Sequence, residues 1–342
     1  MTGGLAASGL IGAVILAILL GPRSRARPKV RDVNLPADLD AYFASAEARM
    51  KHLRPGCAKG VRWADPAKKE PTPVSIVYLH GFPASRDEIA PACDRLAEAW
   101  GANVFYSRLA GQGADGEALA NVRVDDWFED ANEAWAAGRR IGRRVVLIGM
   151  STGAPLAAWL ALARPEAALL VLISPNFAPA DRRSRWLLCP WGRLLARAVL
   201  GRTFRIAGRT PEARRIWTSR PRSEAVAEMV AVADFGARLP LERLAPPALV
   251  VFTSRDERVS VPAIRRAFDR IGSPRKKCVD LPGAHRHVLA GDCLSRRTTP
   301  ALVRTIAAFA AEAGVEHLLE PSSARLKSCR LPGEESEKGG PR

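Results

Sequence analysis

Gly149-Met150-Ser151-Thr152-Gly153 sets a serine between two glycines, directly after the apolar run Val145–Ile148 and directly before the helical stretch Ala154–Ala163. A G-x-S-x-G alone carries little information. Between a strand and a helix it carries much more, because the glycines permit the tight turn that exposes the serine hydroxyl. A serine hydroxyl is a poor nucleophile at neutral pH and needs a base, which a carboxylate must orient. Downstream of Ser151 the histidines are His285, His287 and His317, the first two inside Gly283-Ala284-His285-Arg286-His287-Val288-Leu289-Ala290-Gly291-Asp292. Where a serine nucleophile sits on such a turn, the partners follow in the order Ser, acid, His. Asp256, just past the apolar run Ala248–Thr253, is the leading acid; Glu257, Asp234 and Asp280 are the alternatives.

The oxyanion of an acyl-transfer intermediate also needs donors. The Thr152 N–H, next after the serine, is one candidate. The Phe82 N–H, in the His80-Gly81-Phe82 turn after the run Val74–Leu79, is the other. His80 is read as a support of that turn rather than as a base. The His-x-His pair could instead clamp a metal, but the chain has no H-E-x-x-H or comparable ligand spacing. Neither a metal nor a cofactor is assigned.

The elements needed to hold these groups are legible in the hydropathy pattern. Val74–Leu79, Asn103–Leu109, Val145–Met150, Ala168–Ser174, Ala248–Thr253 and Lys277–Leu281 read as strands. The continuous apolar character of Val145–Met150, Ala168–Ser174 and Ala248–Thr253 suits strands buried on both faces. Between them, Arg86–Trp100, Val124–Arg140 and Ala154–Ala163 have helical spacing, with Ala37–Met50 ahead of the series and Ala301–Ala313 closing it. Alternating strand and helix means an α/β fold around a mostly parallel sheet. Residues about 177–240 interrupt the alternation and are read as a helical cap over the carboxyl edge of the sheet, where open α/β sheets bind ligands.

Charge is uneven. The 342 residues carry a net charge of +17. Phe177–Ser223 alone holds twelve arginines against Asp181 and Glu212, a net +10, and five more basic residues fall between Arg23 and Arg31. An excess this local argues against a nucleic-acid-coating surface. It leaves open a solvated face, or a patch for anionic lipid or an acidic substrate. The six cysteines are scattered without a C-x-x-C and are expected to be reduced thiols.

The chain ends differ in kind from the body. No charged side chain occurs from Met1 to Pro22, and the run Leu5–Leu20 approaches the ~20 apolar residues of a membrane-spanning helix. With no basic residue ahead of it and Gly21-Pro22-Arg23 behind it, the run reads as an uncleaved single-pass anchor rather than a secretory signal. The basic cluster on its C-terminal side then sets the body on the cytoplasmic side, an exported body being the alternative. The expected organisation is an anchor over 1–22, a basic linker and helical segment over 23–70, a catalytic domain over 71–320, and a disordered tail over 321–342 rich in Ser, Glu, Lys, Gly and Pro.

Taken together, the His-Gly-Phe turn, Gly-Met-Ser-Thr-Gly, Ser254-Arg255-Asp256-Glu257-Arg258-Val259 and His285–Asp292 resemble the α/β-hydrolase superfamily. The resemblance is strongest to the serine aminopeptidase-like, S33-type group with its monoglyceride lipases and carboxylesterases, and it spans roughly Pro71–Ala313. It implies a cofactor-free serine esterase or lipase with a cap between the sixth and seventh strands. In that group the catalytic histidine stands in H-[VL]-[LI]-x-x-D, which His287-Val288-Leu289-Ala290-Gly291-Asp292 matches and His285 does not. By the same carry-over Ser151 is the nucleophile and Asp256 the acid. Gly-His-Ser-Met-Gly is common at the serine of lipase members, whereas Met150 and Thr152 stand at the variable positions here. A small ester or lipid-like substrate is therefore expected, with an N-terminal peptidase and a non-catalytic hydrolase-shaped binder as the other classes.

Overall fold

The computed structural model describes Leu16 and residues 20–206, 210–284 and 287–315. Seven strands form one sheet: β1 (Gly60–Arg62), β2 (Thr72–Leu79), β3 (Asn103–Tyr106), β4 (Gly142–Met150), β5 (Leu169–Ile173), β6 (Ala248–Phe252) and β7 (Lys276–Asp280). Their spatial order is β1-β3-β2-β4-β5-β6-β7. β1 runs antiparallel to β3, and every other neighbouring pair is parallel. The six apolar runs thus become strands β2 to β7. The three-residue β1 is an addition that was too short to show a periodicity.

Alternation along each strand builds two cores. Val77, Leu79, Phe105, Leu147, Leu170, Leu172 and Val250 face one cluster; Ile76, Tyr78, Val104, Val146, Ile148, Val171 and Val251 face the other. Helices α3 (Val124–Ile141) and α4 (Gly153–Ala163) close the first face with Trp127, Phe128 and Leu156. Helices α2 (Ala90–Trp100) and α9 (Thr299–Glu312) close the second with Leu96, Leu302 and Phe309. Both faces being apolar explains why the inner strands β2, β4, β5 and β6 show no regular alternation of hydrophobic and polar residues, whereas the edge strand β7 is partly exposed.

Between β5 and β6 lie a 3-10 segment (Arg182–Leu188) and helices α5 (Gly192–Leu200), α6 (Pro211–Ile216) and α7 (Glu224–Ala237). The expected helical insertion is present, between the fifth and sixth strands of this sheet. A short helix α1 (Leu39–Ala48) precedes β1, and α8 (Val261–Arg270) connects β6 to β7.

The basic stretch after residue 22 is not a free linker. Pro22 accepts a hydrogen bond from the Trp191 N–H at 2.8 Å, and the Ser24 hydroxyl donates to Glu228 on α7 at 2.8 Å. Farther along, the Arg27 N–H donates to Asp125 at 2.8 Å, and the Asn132 amide donates to the Lys29 carbonyl at 3.0 Å, both partners on α3. Its hold is largely through backbone groups, which leave no mark in side-chain hydropathy. Among the described residues no helix is long and apolar enough to cross a membrane. Of the expected anchor over 1–22, only Leu16 and residues 20–22 are among the described residues; the tail 321–342 lies outside them.

Candidate active site

Ser151 stands at the sharp turn from β4 into α4, with a φ of +50°. This left-handed conformation is costly for a residue with a Cβ and is characteristic of strained functional turns. Both flanking glycines are required by close approach. A Cβ on Gly149 would lie 2.6 Å from the Gly153 carbonyl oxygen, and one on Gly153 would lie 2.1 Å from that of Leu79. The serine backbone is pinned on both sides: its N–H donates to Ile173 at 2.9 Å, and its carbonyl accepts from Ala154 and Asn176, each at 3.1 Å.

His287 brings the predicted residues together. Its Nε2 lies 3.0 Å from Ser151 Oγ, and its Nδ1 lies 2.8 Å from Asp256 Oδ2. The Asp256 side chain is fully buried. With the carboxylate accepting from Nδ1–H, the lone pair of Nε2 faces the serine hydroxyl, the tautomer that proton abstraction needs. Asp256 Oδ1 is held in turn by the N–H groups of Arg258 at 2.8 Å and Val259 at 3.0 Å. Asp256 does not cap the following helix; Ser260 does, accepting from the Ala263 N–H. The alternative acids are engaged elsewhere. Asp234 pairs with Arg238, and Asp280 accepts from the Ser254 N–H at 2.9 Å. Glu257 is exposed beside the relay. His285 and His317 lie outside the described residues.

Phe82 and Thr152 line the same cavity as Ser151 and His287. Among the described residues no turn carbonyl and no side-chain acceptor takes either N–H. His80 supports the turn beneath Phe82. Its Nε2 accepts from the Leu109 N–H at 3.1 Å, so Nδ1 carries the proton and donates to the Gly81 carbonyl at 2.8 Å. Complete burial lowers its pKa to about 4, which keeps the ring neutral.

Two supports were invisible in the one-dimensional pattern. Ser174 ends β5 at a φ of +41° and donates its hydroxyl to the His287 carbonyl at 2.8 Å, fixing the loop that carries the base. Glu88, buried beside the serine, accepts from the Gly81 N–H at 3.0 Å and from Trp217 Nε1 at 3.2 Å. Burial raises its pKa. Nothing in the sequence sets Glu88 apart from Arg86 and Asp87 beside it, since its partner Trp217 lies 129 positions away.

The cavity measures about 990 Å³. Trp217, Val259 and Val288 form buried apolar parts of its wall, and residues of the insertion contribute much of its lining. A fixed hydroxyl, an imidazole oriented toward it and buried apolar residues in the cavity wall are parts that acyl transfer calls for.

The profile of the serine aminopeptidase, S33, family matches residues 71–293. Over 111 residues the chain is 27% identical to the thermostable monoacylglycerol lipase of Bacillus sp. (strain H-257), a match covering 32% of this chain and 44% of that lipase. The chain therefore spans less than half the length of that relative. Among solved structures, a chain from the metagenome-derived lipolytic enzymes LipS and LipT superposes with a TM-score of 0.62 at 19% identity, covering 76% of this chain and 99% of that one. The monoacylglycerol lipase of Paleococcus ferrophilus superposes with a TM-score of 0.56 at 15% identity, covering 75% and 98%. At such identities the likeness is one of fold.

Proposed function

Since the chain belongs to the serine aminopeptidase S33 family of α/β-hydrolases, we propose that it cleaves carboxylic esters of lipid-like acids through a Ser151–His287–Asp256 triad. Ser151 Oγ attacks the acyl carbonyl while His287 Nε2 takes its proton and Asp256 steadies the resulting imidazolium. The N–H groups of Phe82 and Thr152 hold the oxyanion. His287 returns the proton to the departing alcohol, and water, activated by the same imidazole, releases the acid from the acyl-enzyme.

The observation that carries this reading is the continuous chain of 3.0 Å and 2.8 Å contacts from hydroxyl to imidazole to buried carboxylate. Support for an ester over an N-terminal peptide comes from the cavity wall. A peptidase of that kind needs an acid free to hold the substrate amine. Glu88, the acid that lines this cavity, already accepts from the Gly81 N–H, Trp217 Nε1 and, at 3.4 Å, the Tyr78 hydroxyl. Support for a lipid-like acyl group comes from the apolar wall and from the lipolytic relatives.

A fluorophosphonate probe tests the proposal. The full chain should be labelled and Ser151→Ala should not; an unlabelled wild type, or equal labelling of the variant, would sink it. Residues 1–22 are proposed as a single-pass anchor with the catalytic body, residues 71–320, on the cytoplasmic side. After alkaline carbonate extraction the full chain should stay with the membrane pellet and a chain lacking residues 1–22 should not. Recovery of both in the supernatant would dismiss the anchor.

A further inference from the structure

The twelve arginines between Phe177 and Ser223 fall into separate groups. Several are neutralised within the fold. Arg183 pairs with Asp181 at 2.9 Å, Arg193 with Glu228 at 2.6 Å, and Arg222 with Glu117 at 2.8 Å and Glu224 at 2.6 Å. Arg197 and Arg202 also reach carboxylates, at 3.9 Å and 3.2 Å. Arg182, Arg185 and Arg215 do not line the catalytic cavity, and Arg214, which does, is engaged within the fold. Arg205 and Arg220 also line it, together with Arg258 from the loop that carries Asp256. None of these three has a carboxylate within ion-pair distance among the described residues, and all three are exposed. The acid in the same lining, Glu88, is buried and engaged by Gly81 and Trp217.

The cavity lining therefore joins two kinds of residue: buried, apolar Trp217, Val259 and Val288, and exposed Arg205, Arg220 and Arg258, which have no carboxylate within ion-pair distance among the described residues. Unpaired like charges around one opening repel each other, and an anion seated between them removes that cost. A guanidinium also offers paired N–H donors that match the oxygens of a phosphate or carboxylate. We infer that the cavity selects esters with an anionic group, a phosphate or a carboxylate, at the end remote from the acyl chain's apolar portion, with Arg205, Arg220 and Arg258 as its receptors. This rests on the serine-esterase reading above and narrows it: the apolar part lies against Trp217, and the anion sits at the mouth.

The test uses the full chain and matched esters. One pair is 1-hexanoylglycerol and 1-hexanoylglycerol 3-phosphate; the other is propyl hexanoate and 3-hexanoyloxypropanoate, whose carboxylate also lies on the alcohol side of the ester. The anionic member should show a kcat/KM about tenfold or more above its neutral partner at low salt, an advantage that shrinks as ionic strength rises. In Arg205→Gln, Arg220→Gln and Arg258→Gln the anionic-to-neutral ratio should drop severalfold each, and in the triple variant it should approach one. A gain confined to the first pair assigns the receptor to phosphate, and one confined to the second assigns it to carboxylate. Equal or better turnover of the neutral member in both pairs overturns the inference, as does a ratio unchanged in the triple variant. Binding of each ester to Ser151→Ala, followed by isothermal titration calorimetry, reads the same preference without turnover. Failure of the esterase reading therefore shows as absent hydrolysis and absent fluorophosphonate labelling, whereas failure of the anion site shows as equal affinity for both members of each pair.

Discussion

Strands β4, β5 and β6 and the insertion between the last two are neighbours around one cavity, yet they are built in different ways. From Val145 to Met150, Leu169 to Ile173 and Ala248 to Phe252 every residue is buried, and apolar packing on two faces leaves the backbone no freedom. The insertion instead exposes Trp186, Trp191, Leu194, Val199 and Leu200, and its own apolar cluster is small: Leu187, Ala196, Ala227 and Val230. It is tied down by carboxylates. Glu228, with a side chain 1% exposed, accepts from Ser24, from the Val124 N–H at 2.9 Å and from Arg193. A buried apolar shelf thus carries Ser151, and a charged, ion-paired cover lines the cavity beside it. The comparison teaches that the position of the reacting atoms and the choice of substrate are set by separate kinds of interaction, so each can be broken separately.

The largest effects belong to the shelf. His287→Ala and Ser151→Ala should each lower kcat/KM by ~10⁴-fold or more, and Asp256→Asn by about as much, because the imidazole loses its tautomer control. His285→Ala, adjacent in sequence but outside the matching motif, should cost less than about tenfold by the same measure. Steady-state hydrolysis of a p-nitrophenyl ester by the four variants decides the assignment, and equal losses in the two histidine variants would undo it.

Breaking the cover comes next. Glu228→Gln leaves Arg193 without its buried counter-charge and weakens the tie to Ser24, which should cost about 3 kcal/mol. If cover and shelf are separable, KM should rise more than kcat falls, and urea unfolding followed by tryptophan fluorescence should show the lost stability. A proportionate fall in kcat would mean that the cover also sets the serine–histidine geometry.

A third test sharpens the contrast through pH. His80, with a pKa of about 4 when folded, binds fewer protons than the unfolded chain between pH 4 and its ordinary value near 6.5. Its burial therefore favours folding at neutral pH, and that advantage is lost as pH falls through this window. Asp130 has the opposite slope. Burial raises its pKa to about 7, so the folded chain holds a proton that the unfolded chain has released, and stability falls as pH rises from about 4 to 7. The two slopes largely offset each other in the wild type. Asp130→Asn should remove one of them and expose an acid sensitivity of about 3 kcal/mol between pH 6.5 and 4. Urea midpoints at the two pH values check it; a flat profile in the variant would mean that His80 is not held neutral.

How far these regions could be read from sequence differs for the same physical reason. The runs that became β2 to β6 are legible because burial on two faces demands largely apolar stretches, whereas β7, with Lys276, Lys277 and Asp280 exposed, carries that pattern least; Gly149 and Gly153 are legible because nothing larger fits the turn. The matching order of Ser151, Asp256 and His287 was open to inspection once the strands were placed. Glu88 and Ser174 were not, since their partners are backbone groups or lie far off in the chain. Nor was the course of residues 22–31, which depends on Pro22, Arg27 and Lys29 backbone atoms rather than on side-chain type. The arginines were visible as a count, but their division into paired and unpaired sets exists only in three dimensions.

The φ of +50° at Ser151 has a further consequence. That conformation suits glycine, and a side-chain-bearing residue held there costs on the order of 1 kcal/mol or more. Ser151→Gly should therefore fold more stably than Ser151→Ala by about 1 kcal/mol, despite glycine's looser unfolded chain, as judged by urea midpoints. Equal midpoints would mean that the turn is unstrained. Stability alone would thus favour glycine at the position that must react, and the serine is kept against that gradient only where turnover is selected.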